Sequence, residues 1–306
     1  MTIIRIATRE SQLALWQANE VSRLLKSNHP GIGIEIIGMT TEGDRFLQAS
    51  LASAGGKGLF VKELEQCLMN NSADIAVHSM KDVPFELPES LGIHAILERE
   101  DPRDAFISNK YEKFSDLPAN AVVGTSSTRR ACQLYAARRD LNIQPLRGNV
   151  NTRLKKLDEE QYSAIILASA GLKRLGFSER IASYIDINTS LPAIGQGAIG
   201  IECRNDDEQT QSILQTLHHE STANCVSAER NISTALSANC HLPIAAHATE
   251  TDTTLTLQAL VGALDGSQII RANSVGAKEE IEKISAQVVE QLKQQGAEQL
   301  IASTQP

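Results

Sequence analysis

Ile3-Ile4-Arg5-Ile6-Ala7 is followed by a helical pattern from Ser11 to Lys26 and then by Ile32-Gly33-Ile34-Glu35-Ile36-Ile37-Gly38-Met39. The change of period across these segments decides the fold class. The outer two are short apolar runs with the β-branched content of strands, whereas Ala14, Ala18, Val21 and Leu25 fall on one stripe at helical spacing. This is a βαβ opening. The alternation continues with a helix expected over 59–69 and strands over 74–78, 92–97, 105–108, 121–124, 143–146, 164–168 and 198–202. Such alternation predicts α/β layers with mainly parallel sheets. From about Glu220 the texture changes to a long helical pattern reaching Ser237, then a loop, a Thr-rich strand over 253–261, a partner strand over 268–272 and a charged helix over 278–295. That tail reads as a separate small α+β domain. No internal repeat or low-complexity tract is present.

The chain has 306 residues, enough for two or three domains with proper cores. A net charge of −8 and a pI near 5.5 argue against general nucleic-acid binding, which calls for a basic surface. The first residues enter a strand pattern without an apolar signal region, and no apolar run is long enough to cross a bilayer, so the sequence reads as cytoplasmic with no membrane partner. Five cysteines, an odd number without C-x-x-C spacing, suggest neither a disulfide framework nor a four-thiolate zinc site.

Against that acidic background, Thr125-Ser126-Ser127-Thr128-Arg129-Arg130 and Arg147-Gly148-Asn149-Val150-Asn151-Thr152-Arg153 stand out, with Arg138 between them. Guanidinium forks match carboxylate or phosphate with paired hydrogen bonds, and hydroxyl-rich helix starts add backbone donors. A helix's first turn disfavours cations unless an anion is present, so a polyanionic ligand is expected here; a solvated helix face is the bland alternative. Asp82, just past the apolar strand and before Pro84, stands where ligand sites form beyond the carboxyl ends of strands. Position alone leaves open an Asp that pairs with Lys81 or caps a turn. Gly55-Gly56-Lys57-Gly58 lacks the spacing of a nucleotide phosphate loop; it is either a lid or anion contact, or an ordinary turn opening a helix. Cys67, Cys132 and Cys225 fall in helical patterns and Cys203 ends a strand pattern, but Asn239-Cys240-His241-Leu242-Pro243 reads as a loop. Cys240 is therefore accessible for covalent chemistry, or an incidental exposed thiol. No familiar metal-ligand spacing is formed, and no metal is expected.

Taken in order, these segments resemble the porphobilinogen deaminase (hydroxymethylbilane synthase) family over nearly the whole chain. The carriers are Arg5-Ile6-Ala7-Thr8-Arg9, Leu13-Ala14-Leu15-Trp16-Gln17-Ala18, the run from Gly55 to Glu65, Asp74 to Pro84, Glu100-Asp101-Pro102-Arg103-Asp104-Ala105, and Val123-Gly124-Thr125-Ser126-Ser127 with Arg129-Arg130. Leu146 to Val150, Thr152-Arg153-Leu154, Leu191 to Gly197 and the Cys240 loop complete the series, and agreement weakens after Ala245. The resemblance implies two lobes like those of periplasmic binding proteins with the active cleft between them, and a third domain bearing a cysteine on a mobile loop. The corresponding ranges are 1–98 with 197–216, 102–192, and 219–306.

It further implies a monomeric transferase of haem and tetrapyrrole biosynthesis. Four porphobilinogen molecules are joined head to tail on a dipyrromethane cofactor, ammonia is lost each time, and linear hydroxymethylbilane is released by hydrolysis. The cofactor is held by a thioether to the residue matching Cys240. Asp82 matches the carboxylate that stabilises positive charge on pyrrole nitrogen and mediates proton transfer. Lys81, Ser79, Thr125, Ser127, Arg129, Arg130, Arg147 and Gly148 match cofactor-binding positions; Arg9, Ser11, Arg153, Arg174 and Gln196 match substrate-binding ones, and Gly55, Gly56, Lys57 and Gly58 a loop. Two departures stand out: Ser53 where many relatives carry Lys, and Asn239 in place of the glycine before the cysteine. The rival from another class is a non-catalytic, two-lobed dicarboxylate-binding protein, which has no use for Cys240 or Asp82.

Overall fold

The computed structural model describes residues 3–41, 61–237 and 242–304. The chain divides into two compact units, Met1–Glu100 with Ala198–Ala223, and Asp101–Gly197 with Asn224–Pro306. The Gly55–Gly58 segment, Ser53, and the Asn239, Cys240 and His241 positions lie outside the described residues.

The first unit contains β1 (Ile3–Arg9), α1 (Gln12–Asn28), β2 (Gly33–Met39), α2 (Lys62–Met69), β3 (Ile75–Ser79), β4 (Leu91–Ile96), the returning strand β10 (Ile199–Arg204) and α6 (Glu208–Gln215). Ser11 starts α1 by accepting the Ala14 amide proton on its hydroxyl. The predicted stripe of Ala14, Ala18, Val21 and Leu25 is buried, and Ala18, Val21 and Leu25 join Ile4, Ile6, Ile75, Val77 and Ile201 in one core. Each side chain the size of Val21 or Leu25 contributes roughly 1.5–3 kcal/mol by leaving water. On the opposite face, α2 lays Leu64 and Leu68 over Ala7 and Ala76. Asp74 clamps β1 at the entrance to β3, accepting from the Arg5 amide at 2.8 Å and from Arg5 Nη2 at 2.7 Å. Burial pushes the Asp74 carboxyl up, but the Arg5 hydrogen bonds and charge outweigh it and hold the group below its ordinary value.

The sheet order is β2-β1-β3-β10-β4, with β1 parallel to β2 and β3, and β10 antiparallel to both its neighbours. The second unit repeats this plan. It runs β5 (Asp104–Ile107), β6 (Val122–Gly124), α3 (Thr128–Ala137), β7 (Asn142–Gln144), α4 (Val150–Asp158), β8 (Ala164–Ala168), α5 (Ser169–Arg174) and β9 (Ser183–Tyr184). The order is β7-β6-β8-β5-β9, and β5 is the strand reversed against its neighbours. The expectation of mainly parallel sheets therefore holds for strand direction but not for pairing, because a reversed strand placed inside a sheet converts both of its ladders to antiparallel. Both lobes are mixed-sheet α/β.

After α7 (Glu220–Ala235), the tail forms an antiparallel sheet of β11 (Ile244–Glu250), β12 (Thr254–Gly262) and β13 (Ile269–Ala277), covered by α8 (Ile281–Gln294) and α9 (Ala297–Thr304). It has its own core, built by Ala228 and Ile232 of α7, Leu255 and Leu257 of β12, and Ile284, Val288 and Leu292 of α8. This is the expected small α+β module. It clusters with the second sheet because the two meet closely: a Cβ on Gly262 would lie 2.9 Å from Cys132 Sγ, and Arg139 donates to the Gly266 carbonyl at 3.2 Å. Within the region read as a loop, the structure forms β11; its Ala-rich run Ile244-Ala245-Ala246-His247-Ala248 has weak strand propensity and is recruited by pairing with β12. No helix among the described residues is long and apolar enough to cross a membrane.

Candidate functional site

In the first unit, β3 runs directly into a single 3-10 turn, Met80–Asp82, with Met80 buried and Lys81 and Asp82 exposed. The turn is short because Val83 and Pro84 follow, and Pro84 has no amide proton with which to extend it. Asp82 lines a pocket of about 60 Å³ with Arg9, Ser11, Leu13, Ala14, Gln17, Val61, Leu64, Val77, His78 and Ser79. These residues converge from the end of β1, the start of α1, α2 and the end of β3. Gln17, buried on α1, donates to Ser79 Oγ at 2.8 Å and fixes that hydroxyl. The carboxylate of Asp82 makes no hydrogen bond or ion pair to another described residue, so pairing with Lys81 and turn capping, the bland readings of its position, do not describe it. An uncommitted carboxylate beside Arg9 at a strand's carboxyl end suits a ligand that bears N–H groups and acidic groups together.

In the second unit, α3 begins at Ser127, whose hydroxyl accepts the Arg130 amide proton at 3.4 Å. The arginines of its first turn point inward. Arg129 Nη1 reaches Asp104 Oδ2 at 2.7 Å and the Leu191 carbonyl at 2.7 Å, and Arg130 Nε reaches Asp104 Oδ1 at 2.9 Å. Ser190 Oγ and Gln196 Nε2 also donate to Asp104, at 2.8 and 3.0 Å. The anion demanded by two cations in a first turn is thus, in the first instance, the chain's own Asp104, fully buried at the start of β5. Burial pushes that carboxyl up, and the Arg129 and then Arg130 charges overwhelm it, holding the group far below the carboxylate range. Two guanidiniums share one carboxylate here, leaving one positive charge to spare. Arg129 Nε is buried without an acceptor among the described residues.

The neighbouring predicted residues occupy the same carboxyl edge. Thr125 is buried after β6 and its hydroxyl accepts from the Ser127 amide at 3.2 Å, while Ser126 Oγ donates to the Leu146 carbonyl at 2.9 Å. Gly148 has φ +112°, and a Cβ there would strike Thr152 at 2.7 Å, which explains glycine between Arg147 and the Asn149 cap of α4. Arg153 Nε donates to the Gly148 carbonyl at 2.7 Å, and Arg174 Nη2 to the Gly197 carbonyl at 2.6 Å. Arg138 leaves the set: it caps the far end of α3 and pairs with Asp140 at 2.7 Å, because a helix end ten residues on faces the other way.

Sequence reasoning gave no role to Asp104. Its signal was a carboxylate at the head of the otherwise apolar run Asp104-Ala105-Phe106-Ile107. Residues 4–212 match the family model of the porphobilinogen deaminase dipyrromethane cofactor-binding domain, and residues 223–294 match that of the porphobilinogen deaminase C-terminal domain. The chain belongs to the porphobilinogen deaminase family. Porphobilinogen deaminases are transferases of tetrapyrrole biosynthesis that carry dipyrromethane, and the first matched domain is the one that binds it.

Among solved structures, the chain is similar to the periplasmic VFT2 domain of BvgS from Bordetella pertussis, with 17% identity and a TM-score of 0.43 over 70% of this chain and 86% of that one. It is also similar to a putative methionine-binding lipoprotein from Bacillus subtilis, with 12% identity and a TM-score of 0.45 over 72% and 92%. Likenesses of that strength decide nothing about ligand or chemistry. The site's residues fit the deaminase cofactor's chemistry on their own account: a buried cluster with surplus positive charge and an acceptor-less Nε suits a group bearing several carboxylates.

Proposed function

We propose that this porphobilinogen deaminase condenses four porphobilinogen molecules head to tail, releasing ammonia at each addition and finally hydroxymethylbilane by hydrolysis. The observation that carries the reading is the pairing of chemistries: an uncommitted carboxylate at Asp82 in one unit, and a buried arginine cluster with one surplus positive charge in the other. When bound, dipyrromethane supplies the pyrrole carbon on which the product is assembled. Cys240 is the residue to hold it through a thioether. Arg129, Arg130, Arg147, Thr125, Ser127, Gly148, Ser79 and Lys81 are proposed to bind its carboxylates and orient it; Arg9, Ser11, Arg153, Arg174 and Gln196 are proposed to take the acetate and propionate of the incoming unit.

Asp82 has the catalytic role in this reading. Positive charge develops on pyrrole nitrogen when the amine departs and again when the new carbon–carbon bond forms. A fixed negative charge beside those N–H groups lowers both barriers, and an electrostatic or acid–base group of this kind contributes about 10²–10⁴-fold. Asp82→Ala is expected to lower kcat by at least about a hundredfold, and Asp82→Glu, which keeps the charge but displaces it, to retain part of the activity. Near-normal turnover of porphobilinogen by Asp82→Ala removes the assignment. The whole reading is tested on the purified protein by intact mass and by reaction with Ehrlich's aldehyde reagent. Added mass of two linked pyrroles with a coloured product supports it, whereas an unmodified, colourless chain favours the dicarboxylate-binding rival.

A further inference from the structure

Behind the Asp82 pocket lies a buried set that the roles above do not use. His78 on β3 and Glu202 on β10 meet at 2.8 Å between Nε2 and Oε2, with side chains 4% and 1% exposed. The register explains the meeting: Gly200 stands opposite His78 and Glu202 opposite Ala76, so the carboxylate lies diagonal to the imidazole on one sheet face. Opposite His78, a Cβ on Gly200 would overlap Met80 Sδ, so a larger residue there would displace the buried Met80 side chain. Glu65, buried on α2, covers the same face; burial and then the Glu202 charge raise its carboxyl above the ordinary value, with His78 opposing. Among the described residues Glu202 Oε1 has no hydrogen-bond partner.

A histidine that only filled the core would be a poor choice here. Two carboxylates and an imidazole amid Ala7, Leu64, Leu68 and Ala76 cost desolvation that an apolar trio of equal volume avoids. Yet His78 is also one of the residues that line the pocket beside Asp82. One ring nitrogen is tied to a carboxylate, and among the described residues the other has no hydrogen-bond partner. That is how a carboxylate orients an imidazole for proton transfer.

We infer that His78, oriented by Glu202, is a second acid–base group of the Asp82 pocket. The inference rests on the deaminase reading. In each addition the substrate's C–N bond breaks with its electron pair going to nitrogen, so an ammonium substituent departs as ammonia. A pyrrole carbon then forms the new C–C bond and loses its proton, the C–H pair returning to the ring. One proton therefore has to be held and handed on, leaving finally with ammonia as ammonium. With Nε2–H donated to Glu202, the Nδ1 lone pair of His78 takes that proton, and Glu202 balances the imidazolium until it is released to water. The charged groups facing this exchange are Glu202 from β10, Glu65 from α2, Asp82 from the turn and Arg9 from β1.

The test uses the full-length protein with its cofactor. His78→Gln is expected to arrive loaded by intact mass, to lose about a hundredfold or more in kcat with KM little changed, and to lose the acidic limb of the kcat–pH profile. Glu202→Gln should move that limb to lower pH. Independently of turnover, ¹⁵N-histidine NMR of the parent should show a signal absent from His78→Gln, in the Nε2–H tautomer, that titrates and loses that tautomer preference in Glu202→Gln. A folded His78→Gln enzyme with the parent's kcat and pH profile overturns the inference. If that variant does not fold, a non-titrating ring in the parent, assigned through Glu202→Gln, overturns it equally. A parent that carries no dipyrromethane and turns over no porphobilinogen overturns the deaminase reading itself, and the inference with it; an active, loaded parent beside an unaffected variant overturns the inference alone.

Discussion

Asp104→Asn is expected to destabilise the second unit by about 3–5 kcal/mol and to yield protein without cofactor. Removing one partner of a buried ion pair leaves the other charge in a low-dielectric interior, and here two guanidiniums are left at once. Asn keeps the shape and one acceptor oxygen, so the loss is electrostatic rather than a cavity. Arg129 and Arg130 remain tethered to the Leu191 and Ile166 carbonyls, but their bidentate anchor is gone and their forks are no longer aimed. The measurement is calorimetry with intact mass on the same sample: a midpoint lowered by roughly 6 °C or more, and a mass equal to the bare chain. The parent's pH dependence should follow. Because the folded-state carboxyl lies far below its unfolded value near 4, the group binds its proton in the unfolded chain first. Its contribution is complete above about pH 5 and declines as pH falls below about 4. An Asp104→Asn protein as stable as the parent and fully loaded means that the cluster is neither the keystone of β5 nor the aim of the arginines.

The βαβ opening, the order of strands along the chain and the separate tail were legible because they depend on local period and on turn residues, which a single sequence displays. What escaped it was set by pairing at a distance. The reversed β10 carries the same apolar pattern as a parallel strand, so Ile199 to Cys203 declares burial and not direction. The Ala-rich β11 is recruited by the longer, Thr-rich β12. The site shows the same division. Asp82 and the hydroxyl-rich caps were visible because each occupies a telling place in its own element. Asp104 was not, because its meaning lies in side chains 25 and 26 residues away whose charges it neutralises. For the same reason the first-turn argument for an anion left out the chain's own contribution: Asp104 is one anion for the two guanidiniums.

Cys240→Ser is expected to fold normally and to carry no dipyrromethane and no activity, whereas Cys132→Ser and Cys203→Ser should stay loaded. The argument is one of nucleophilicity. A thioether forms from a thiolate, and burial pushes Cys132 and Cys203 up to about 12, so almost none of either is ionised near neutral pH. Cys225 is buried on α7, and Cys67, half-buried, lies on α2. Each of these four sits inside a helix or strand whose packing a bulky adduct would disrupt. Cys240 falls instead in the sequence between the end of α7 and the start of β11, three residues before Pro243 and outside every described helix and strand. A hydroxyl in place of the thiol is nearly isosteric, so the melting midpoint should change little relative to the parent stripped of its cofactor. Intact mass, thermal melting and porphobilinogen turnover on the three variants decide the matter. Retained mass in Cys240→Ser, or its loss in Cys132→Ser with the fold preserved, would move the attachment point elsewhere in the chain.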